Sequence, residues 1–157
     1  MMYGYRFLKL HSLFGGLNEE EMKKIRPLFK EEKFAMNDTI LKENEHNDRL
    51  YFICEGSVEI SRQIETPNDT ATQKIATLGV GDTFGEMELI DIQPCAATVR
   101  ALEDTVVLTL SNFDFHKISK INLKSFTLIV MNLAREISRR LRKADELLAE
   151  SLRNPEN

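Results

Sequence analysis

Residues 81–101 combine the residue types and spacing that would hold a small charged molecule. Gly85 permits a sharp turn or a close approach of the backbone to another group. Residues 86–91 are long enough for one or two helical turns with unbonded N–H groups at their start, and Pro94 then restarts an extended segment. A glycine turn that opens a short helix predicts an anion cradle, although a plain loop crossing with one helical turn has the same features.

The surrounding residues 31–110 predict a β framework that positions this segment. Short runs rich in Val, Ile, Phe, Leu and Thr are separated by polar or glycine-containing turns, which is typical of strands. Many short strands at this spacing favour a sandwich, jelly roll or barrel. The predicted strands are residues 33–36, 39–41, 49–54, 57–63, 73–78, 97–101 and 105–110, with an exposed hairpin tip at residues 65–70.

Helices are predicted on both sides of the strands. Residues 18–30 form an amphipathic pattern in which Asn18 is the cap and Glu21 completes a capping box. A short helix is predicted over residues 111–120. Residues 123–152 contain neither Pro nor Gly and predict one long helix.

The long helix carries an apolar seam with steps of four and three residues, which is the heptad pattern of a coiled coil. A helix of about 45 Å exceeds the diameter of a small barrel, so we expect a homodimer through this seam. An amphipathic helix lying on the domain is the alternative, because periods of 3.5 and 3.6 residues barely separate over this length. The seam residues are Val130, Ala134, Ile137, Leu141, Ala144 and Leu148.

Length and charge limit the class of protein. A chain of 157 residues predicts one domain with room for an appended helix, and 42% hydrophobic with 29% charged residues excludes a disordered chain. The net charge of −4 disfavours a nucleic-acid binder.

A basic run on the long helix predicts the solvated flank of a coiled coil, with an acidic partner or nucleic acid as the alternative. The run is Arg135, Arg139, Arg140, Arg142 and Lys143.

The remaining chemistry-bearing residues are few. Cys54 and Cys95 are too isolated for a disulfide framework or a zinc knuckle, so we expect reduced thiols, with Cys54 in the core. His11, His46 and His116 show no metal-ligand spacing and are expected on the surface. We expect no metal, no cofactor and no catalytic constellation. The chain also shows no signal peptide and no apolar run of the ~18 residues that a membrane span needs, so a cytoplasmic location is expected.

The segment at residues 81–101 resembles the phosphate-binding cassette of cyclic-nucleotide-binding domains, a family that includes catabolite activator proteins and regulatory subunits of cyclic-AMP-dependent kinase. Residues 13–17 (LFGGL), 50–53 (LYFI), 55–60 (EGSVEI) and 79–86 (GVGDTFGE) match the same family in the same order. The resemblance implies a mainly β fold: an eight-stranded jelly-roll barrel with an N-terminal helix and a long C-terminal helix. It divides the chain into a barrel domain, residues 1–122, and a dimerisation helix with its tail, residues 123–157.

The resemblance also implies the roles of individual site residues. Glu86, which follows Gly85, would accept a hydrogen bond from the ribose 2′-hydroxyl of a cyclic nucleotide. The backbone N–H groups of Met87 and Ala96 would approach the cyclic phosphate, and Thr98 would lie near the ligand. The long helix would cap the base, and in the bacterial regulators of this family it also forms the dimer.

Cys95 departs from the family pattern, because members that bind cyclic nucleotides have an arginine at this position, directly before the Ala-Ala-Thr stretch. A neutral thiol provides neither the charge nor the paired donors of a guanidinium. A buried phosphate without its partner loses roughly 2–5 kcal/mol, or about 30- to 4,000-fold in affinity. Arg100 is five residues away and points to the opposite face of a regular strand, so it is not expected to compensate, whereas Lys74 and Arg62 remain open. A redox- or metal-sensing role for Cys95 is the less favoured explanation.

These features predict a non-enzymatic regulatory module with a degenerate cassette, which binds cyclic AMP or cyclic GMP weakly or not at all, or binds another small anion. A functional cyclic-nucleotide sensor and a docking platform for a protein partner are the alternatives. Only about five residues follow Leu152, so the chain as given has no room for a winged helix-turn-helix and direct DNA binding is not expected. A cupin-type metalloenzyme is disfavoured because the predicted strands lack a histidine cluster.

Overall fold

The computed structural model describes residues 4–91 and 93–153 and shows a mainly β domain with flanking helices. Its strands form two antiparallel four-stranded sheets, with the orders β1-β8-β3-β6 and β2-β7-β4-β5. Closure of these sheets into a jelly-roll barrel stays a prediction. The strands are β1 (Lys30–Phe34), β2 (Thr39–Leu41), β3 (Arg49–Glu55), β4 (Val58–Thr66), β5 (Asp69–Leu78), β6 (Thr83–Phe84), β7 (Thr98–Ala101) and β8 (Thr105–Ser111).

Five α-helices flank the sheets within the described residues. They are α1 (Gly4–Leu10), α2 (Glu19–Ile25), α3 (Glu86–Ile90), α4 (Asn112–Ile121) and α5 (Leu123–Arg153). Short 3₁₀ turns cover Ser12–Phe14 and Arg26–Leu28. The cap predicted at Asn18 is confirmed, and Ser111 caps α4: each side chain accepts a hydrogen bond from a backbone N–H three residues later.

The first predicted helix ends earlier than expected. The pattern predicted a helix over residues 18–30, but α2 stops at Ile25 and Lys30 already belongs to β1. Pro27 explains the difference, since it lacks an N–H and its ring would clash with the preceding turn of an α-helix. The hairpin of β4 and β5 also extends further than predicted, with Thr66 paired to Asp69 across a two-residue turn.

Strands β3 and β8 are buried on both faces, which explains why each has an almost unbroken apolar sequence. Along β3, Leu50, Phe52 and Cys54 face the helices in the main core, whereas Tyr51 and Ile53 face the second sheet. Strand β8 alternates in the same way. The main core also receives Ile129 and Leu133 from α5, so the first part of that helix is anchored to the domain.

His11 was predicted on the surface, and this prediction is wrong. The ring is buried edge-on against Phe52, with ring centroids 5.1 Å apart. Its Nδ1 accepts a hydrogen bond from the Leu13 N–H, and its Nε2 lies 2.9 Å from the carbonyl oxygen of Gly81, to which it donates. Burial lowers the pKa of His11, so the neutral ring is the favoured form. His46 and His116 are exposed, as expected.

Candidate functional site

Gly85 shapes the start of α3, because its backbone lies in the left-handed region at φ +81°. A Cβ atom at this position would lie 2.5 Å from the carbonyl oxygen of Arg49 and 2.9 Å from Nδ2 of Asn47. Asn47 Nδ2 itself donates a hydrogen bond to that carbonyl at 2.7 Å, which fixes the loop against the glycine. The close backbone approach predicted for Gly85 is therefore present, and the group that approaches it is the start of β3.

A cavity of about 100 Å³ lies beside this turn, between the second sheet, α3 and α5. Pockets for small molecules usually measure about 300–1,000 Å³, so this cavity is small. Phe84 forms part of its wall and stacks on Tyr51, with the ring centroids 4.7 Å apart. Apolar side chains of β2, β4 and β7 line the rest: Leu41, Ile60 and Val99.

Four of the predicted site residues line the cavity, and the other two lie outside its lining. Gly85, Glu86, Met87 and Ala96 line the cavity, although the Met87 side chain is 60% exposed. Cys95 is 2% exposed and packs in the core between the sheets. The remaining predicted residue, Thr98, has a side-chain oxygen that accepts a hydrogen bond from the backbone N–H of Glu43. The structure thus brings four of the six predicted ligand-binding residues around one cavity.

The three cations weighed as replacements for the cassette arginine have other partners. Arg100 lies 3.2 Å from the carboxylate of Glu59, and Lys74 lies 3.9 Å from the same carboxylate. Arg62 lies 3.5 Å from the carboxylate of Glu43. None of these three cations lines the cavity.

Arg140 of α5 does line the cavity, so the prediction that the basic run is entirely solvated is wrong at this residue. Its Nη1 donates to the carboxylate of Glu86. Its Nη2 donates to the carbonyl oxygen of Thr83 at 2.9 Å, to the Thr83 hydroxyl at 3.1 Å and to the carboxylate of Glu136 at 2.9 Å. The other members of the run are exposed, as expected: Arg135, Arg139, Arg142 and Lys143.

The sequence contained a signal for this contact, but the pattern of the basic run predicted Arg140 to be exposed to solvent. Glu136 and Arg140 are four residues apart, the spacing of a helical ion pair. Arg140 also lies eleven residues after Ile129 and seven after Leu133, spacings that place all three on one face of a helix, and both of those side chains are buried. The face of α5 that packs on the domain therefore carries apolar residues first and then Arg140, which forms polar contacts.

Two carboxylates and one guanidinium lie at or beside the cavity. Glu86 and Glu136 contribute two carboxylates, with side chains 10% and 19% exposed, against the one guanidinium of Arg140. Cys95, at the position where the family resemblance places an arginine, is a buried cysteine.

The other features that the sequence singled out take no part in this cavity. Cys54 lies in the main core as predicted, and burial raises the pKa of its thiol to about 11, so it is protonated at neutral pH. The described part of the chain contains no group of three or more His, Cys, Asp or Glu residues placed to hold a metal ion. No helix within residues 4–91 and 93–153 has the length and apolar character needed to cross a membrane.

Comparison with known proteins links this arrangement to one family. Residues 31–122 match the family model described as "Cyclic nucleotide-binding domain". The matched range includes both sheets and α3 and reaches the end of α4.

Individual relatives agree with the family match. The chain is 31% identical to the cyclic AMP receptor protein of Thermus thermophilus over 88% of its own length and 61% of that protein. It is 31% identical to a cAMP-dependent protein kinase regulatory subunit of Debaryomyces hansenii, over 71% of the chain and 23% of that protein. The chain therefore spans less than two thirds of either relative.

A solved structure shares the fold over nearly the whole chain. It is described as a cyclic nucleotide-binding domain from Methylobacillus flagellatus, with a TM-score of 0.82 and 25% identity. The similarity covers 95% of this chain and 83% of that one. The two sheets and their flanking helices thus match the architecture of a known cyclic nucleotide-binding domain.

The tight turn at the cavity yields a graded prediction. Gly85→Ala should lower the free energy of unfolding by about 2–4 kcal/mol, because it adds both a left-handed strain and a clash with fixed backbone. Gly81→Ala should cost about 1 kcal/mol, since it has a positive φ but open space around its Cβ. Gly79→Ala should change the free energy by less than about 0.5 kcal/mol.

Urea denaturation of the three variants measures this order. Equal losses for Gly85→Ala and Gly81→Ala would show that the contact with the Arg49 carbonyl does not constrain the turn.

Proposed function

The chain belongs to the cyclic nucleotide-binding domain family, and on that premise we propose that it is a non-enzymatic regulatory module with a degenerate cassette. In this proposal the cavity beside α3 is the ligand site, and cyclic AMP and cyclic GMP bind weakly or not at all. A different small ligand, or a protein partner, then controls the module.

Cys95 is the observation that carries the proposal. It occupies the position of the phosphate-binding arginine and is buried among apolar side chains of the core between the sheets. The cation that does line the cavity, Arg140, contacts Glu86 and Glu136. A cyclic phosphate would therefore meet a guanidinium that two carboxylates already hold.

A functional cyclic-nucleotide sensor is the second candidate. It is favoured by the retained cavity residues Gly85, Glu86, Met87 and Ala96, and by relatives whose names refer to cyclic AMP. In that case Arg140 would leave its carboxylate partners to reach the phosphate.

We also propose that residues 123–157 contribute a dimer helix to the domain of residues 1–122. Three large apolar side chains of the predicted seam are exposed in the single chain: Val130, Leu141 and Leu148. Burial of these side chains against a second copy of α5 would favour a dimer. Ile137 is partly buried and packs against the main core. All the side chains of residues 141–153 are exposed, so the second half of α5 is the part that a second copy of the chain would cover.

Calorimetric titration of the wild-type chain tests the proposed function directly. With cyclic AMP or cyclic GMP we expect a dissociation constant above about 100 μM, since the absent guanidinium removes about 2 kcal/mol or more of binding energy. A dissociation constant in the low micromolar range would support the sensor instead.

Cys95→Arg is the matched gain-of-function variant for the same titration. It should strengthen cyclic AMP binding at least about 30-fold, because it restores the charge-assisted pair. Circular dichroism is the folding control, since position 95 is buried. A folded variant with unchanged affinity would contradict the proposed role of Cys95.

The dimer seam is tested by Leu141→Glu combined with Leu148→Glu. Two carboxylates in an apolar coiled-coil seam are strongly unfavourable, so light scattering should report a folded monomer where the wild type is a dimer. Arg139→Glu changes the net charge by the same amount at an exposed position outside the seam and should leave the dimer intact. An unchanged mass for the double variant would refute the seam.

A further inference from the structure

We propose that Arg140 acts as an internal competitor for the cavity, so that a ligand that uses Glu86 must displace it and release the second half of α5. This inference rests on the proposed function, because it takes the cavity beside α3 as the ligand site. It adds a regulatory contact between that site and the long helix.

The contacts of Arg140 occupy polar groups that a ligand in this cavity would otherwise use. The guanidinium donates to the Glu86 carboxylate, which is 10% exposed, and to both the carbonyl and the hydroxyl of Thr83. Thr83 is almost completely buried in β6. The side chain of α5 thus binds the site as a ligand would, through charge-assisted hydrogen bonds.

Arg140 is also the point where α5 leaves the domain. Before it, Ile129 and Leu133 are buried in the main core, and Glu136 is partly buried. After it, every side chain of residues 141–153 is exposed. Loss of the Arg140 contact would therefore free the end of the helix while its first part stays anchored.

The size and charge of the cavity define which ligands can compete. A cavity of about 100 Å³ is smaller than a typical small-molecule pocket, so a larger ligand must move the Arg140 side chain. A buried carboxylate that loses a guanidinium partner is costly unless new donors replace it. A ligand that presents hydroxyl or N–H donors to Glu86 would replace the hydrogen bond that Arg140 donates, whereas a simple anion would not.

The consequence is a coupling between the cavity and the proposed dimer seam. Leu141, Ala144 and Leu148 follow Arg140 on the segment that would be released. Occupancy of the cavity and the position of these seam residues then depend on each other, and by thermodynamic linkage the effect is reciprocal.

Hydrogen exchange on the ligand-free full chain tests the contact without any assumption about the ligand. Arg140→Gln should accelerate amide exchange in α3 and in residues 136–144 by about 5- to 30-fold. Glu86→Gln should accelerate the same two segments. Arg139→Gln, an exposed neighbour on the same helix, should leave both unchanged. Exchange within about twofold of wild type for Arg140→Gln would overturn the proposal.

Calorimetric titration with cyclic AMP tests the competition itself. We compare Cys95→Arg with Cys95→Arg/Arg140→Gln and expect the second variant to bind about 5- to 30-fold more tightly, because the competitor has been removed. A purely structural role for Arg140 predicts no gain, and a ligand-contacting role predicts weaker binding; either result overturns the inference.

The two proposals fail in distinguishable ways. Tight cyclic AMP binding by the wild type would refute the degenerate cassette, and the comparison of wild type with Arg140→Gln would then test the competition. If neither Cys95→Arg nor the double variant binds cyclic AMP, the inference is overturned, because removal of Arg140 has opened no ligand site.

Discussion

The carboxylate of Glu86 is buried at the start of α3, and the guanidinium of Arg140 provides the positive charge it faces. A buried carboxylate persists as an ion only when charged or hydrogen-bonding partners replace the lost water. Because Arg140 also contacts Thr83 and Glu136, this one interaction joins α3, β6 and α5. Residues 129–133 anchor the first part of the long helix in the main core, and the pair of Glu86 with Arg140 adds a contact near the middle of that helix.

In the proposed function, Cys95 is the residue that sets this cavity apart from one that binds a cyclic nucleotide. A family member with an arginine at this position has a cation for an incoming phosphate, whereas Cys95 is an apolar core residue here. Glu86 lines the cavity that we propose as the ligand site, and the guanidinium in that cavity comes from Arg140 of α5. The fold is that of a cyclic nucleotide-binding domain, and at its cavity Arg140 forms ion pairs with Glu86 and Glu136.

Local sequence signals predicted the elements well, and long-range contacts account for what they missed. The cap at Asn18, the apolar pattern of β3 and the span of α5 each depend on neighbouring residues, and all are confirmed. His11 and Arg140 were assigned to solvent because each finds its partners far along the chain, at Gly81 and Glu86. The sequence predicted a tight turn at Gly85, but only the fold shows that the carbonyl oxygen of Arg49 leaves no room for a side chain there.

The most direct test of the central interaction is a double-mutant cycle on the free energy of unfolding. Glu86→Gln, Arg140→Gln and the double variant are unfolded in urea and compared with the wild type. A direct ion pair that joins α3 to α5 predicts a coupling energy of about 1 kcal/mol or more, so the double variant loses less than the sum of the single variants. Additive losses, with a coupling energy near zero, would show that the two residues do not interact and would contradict the account.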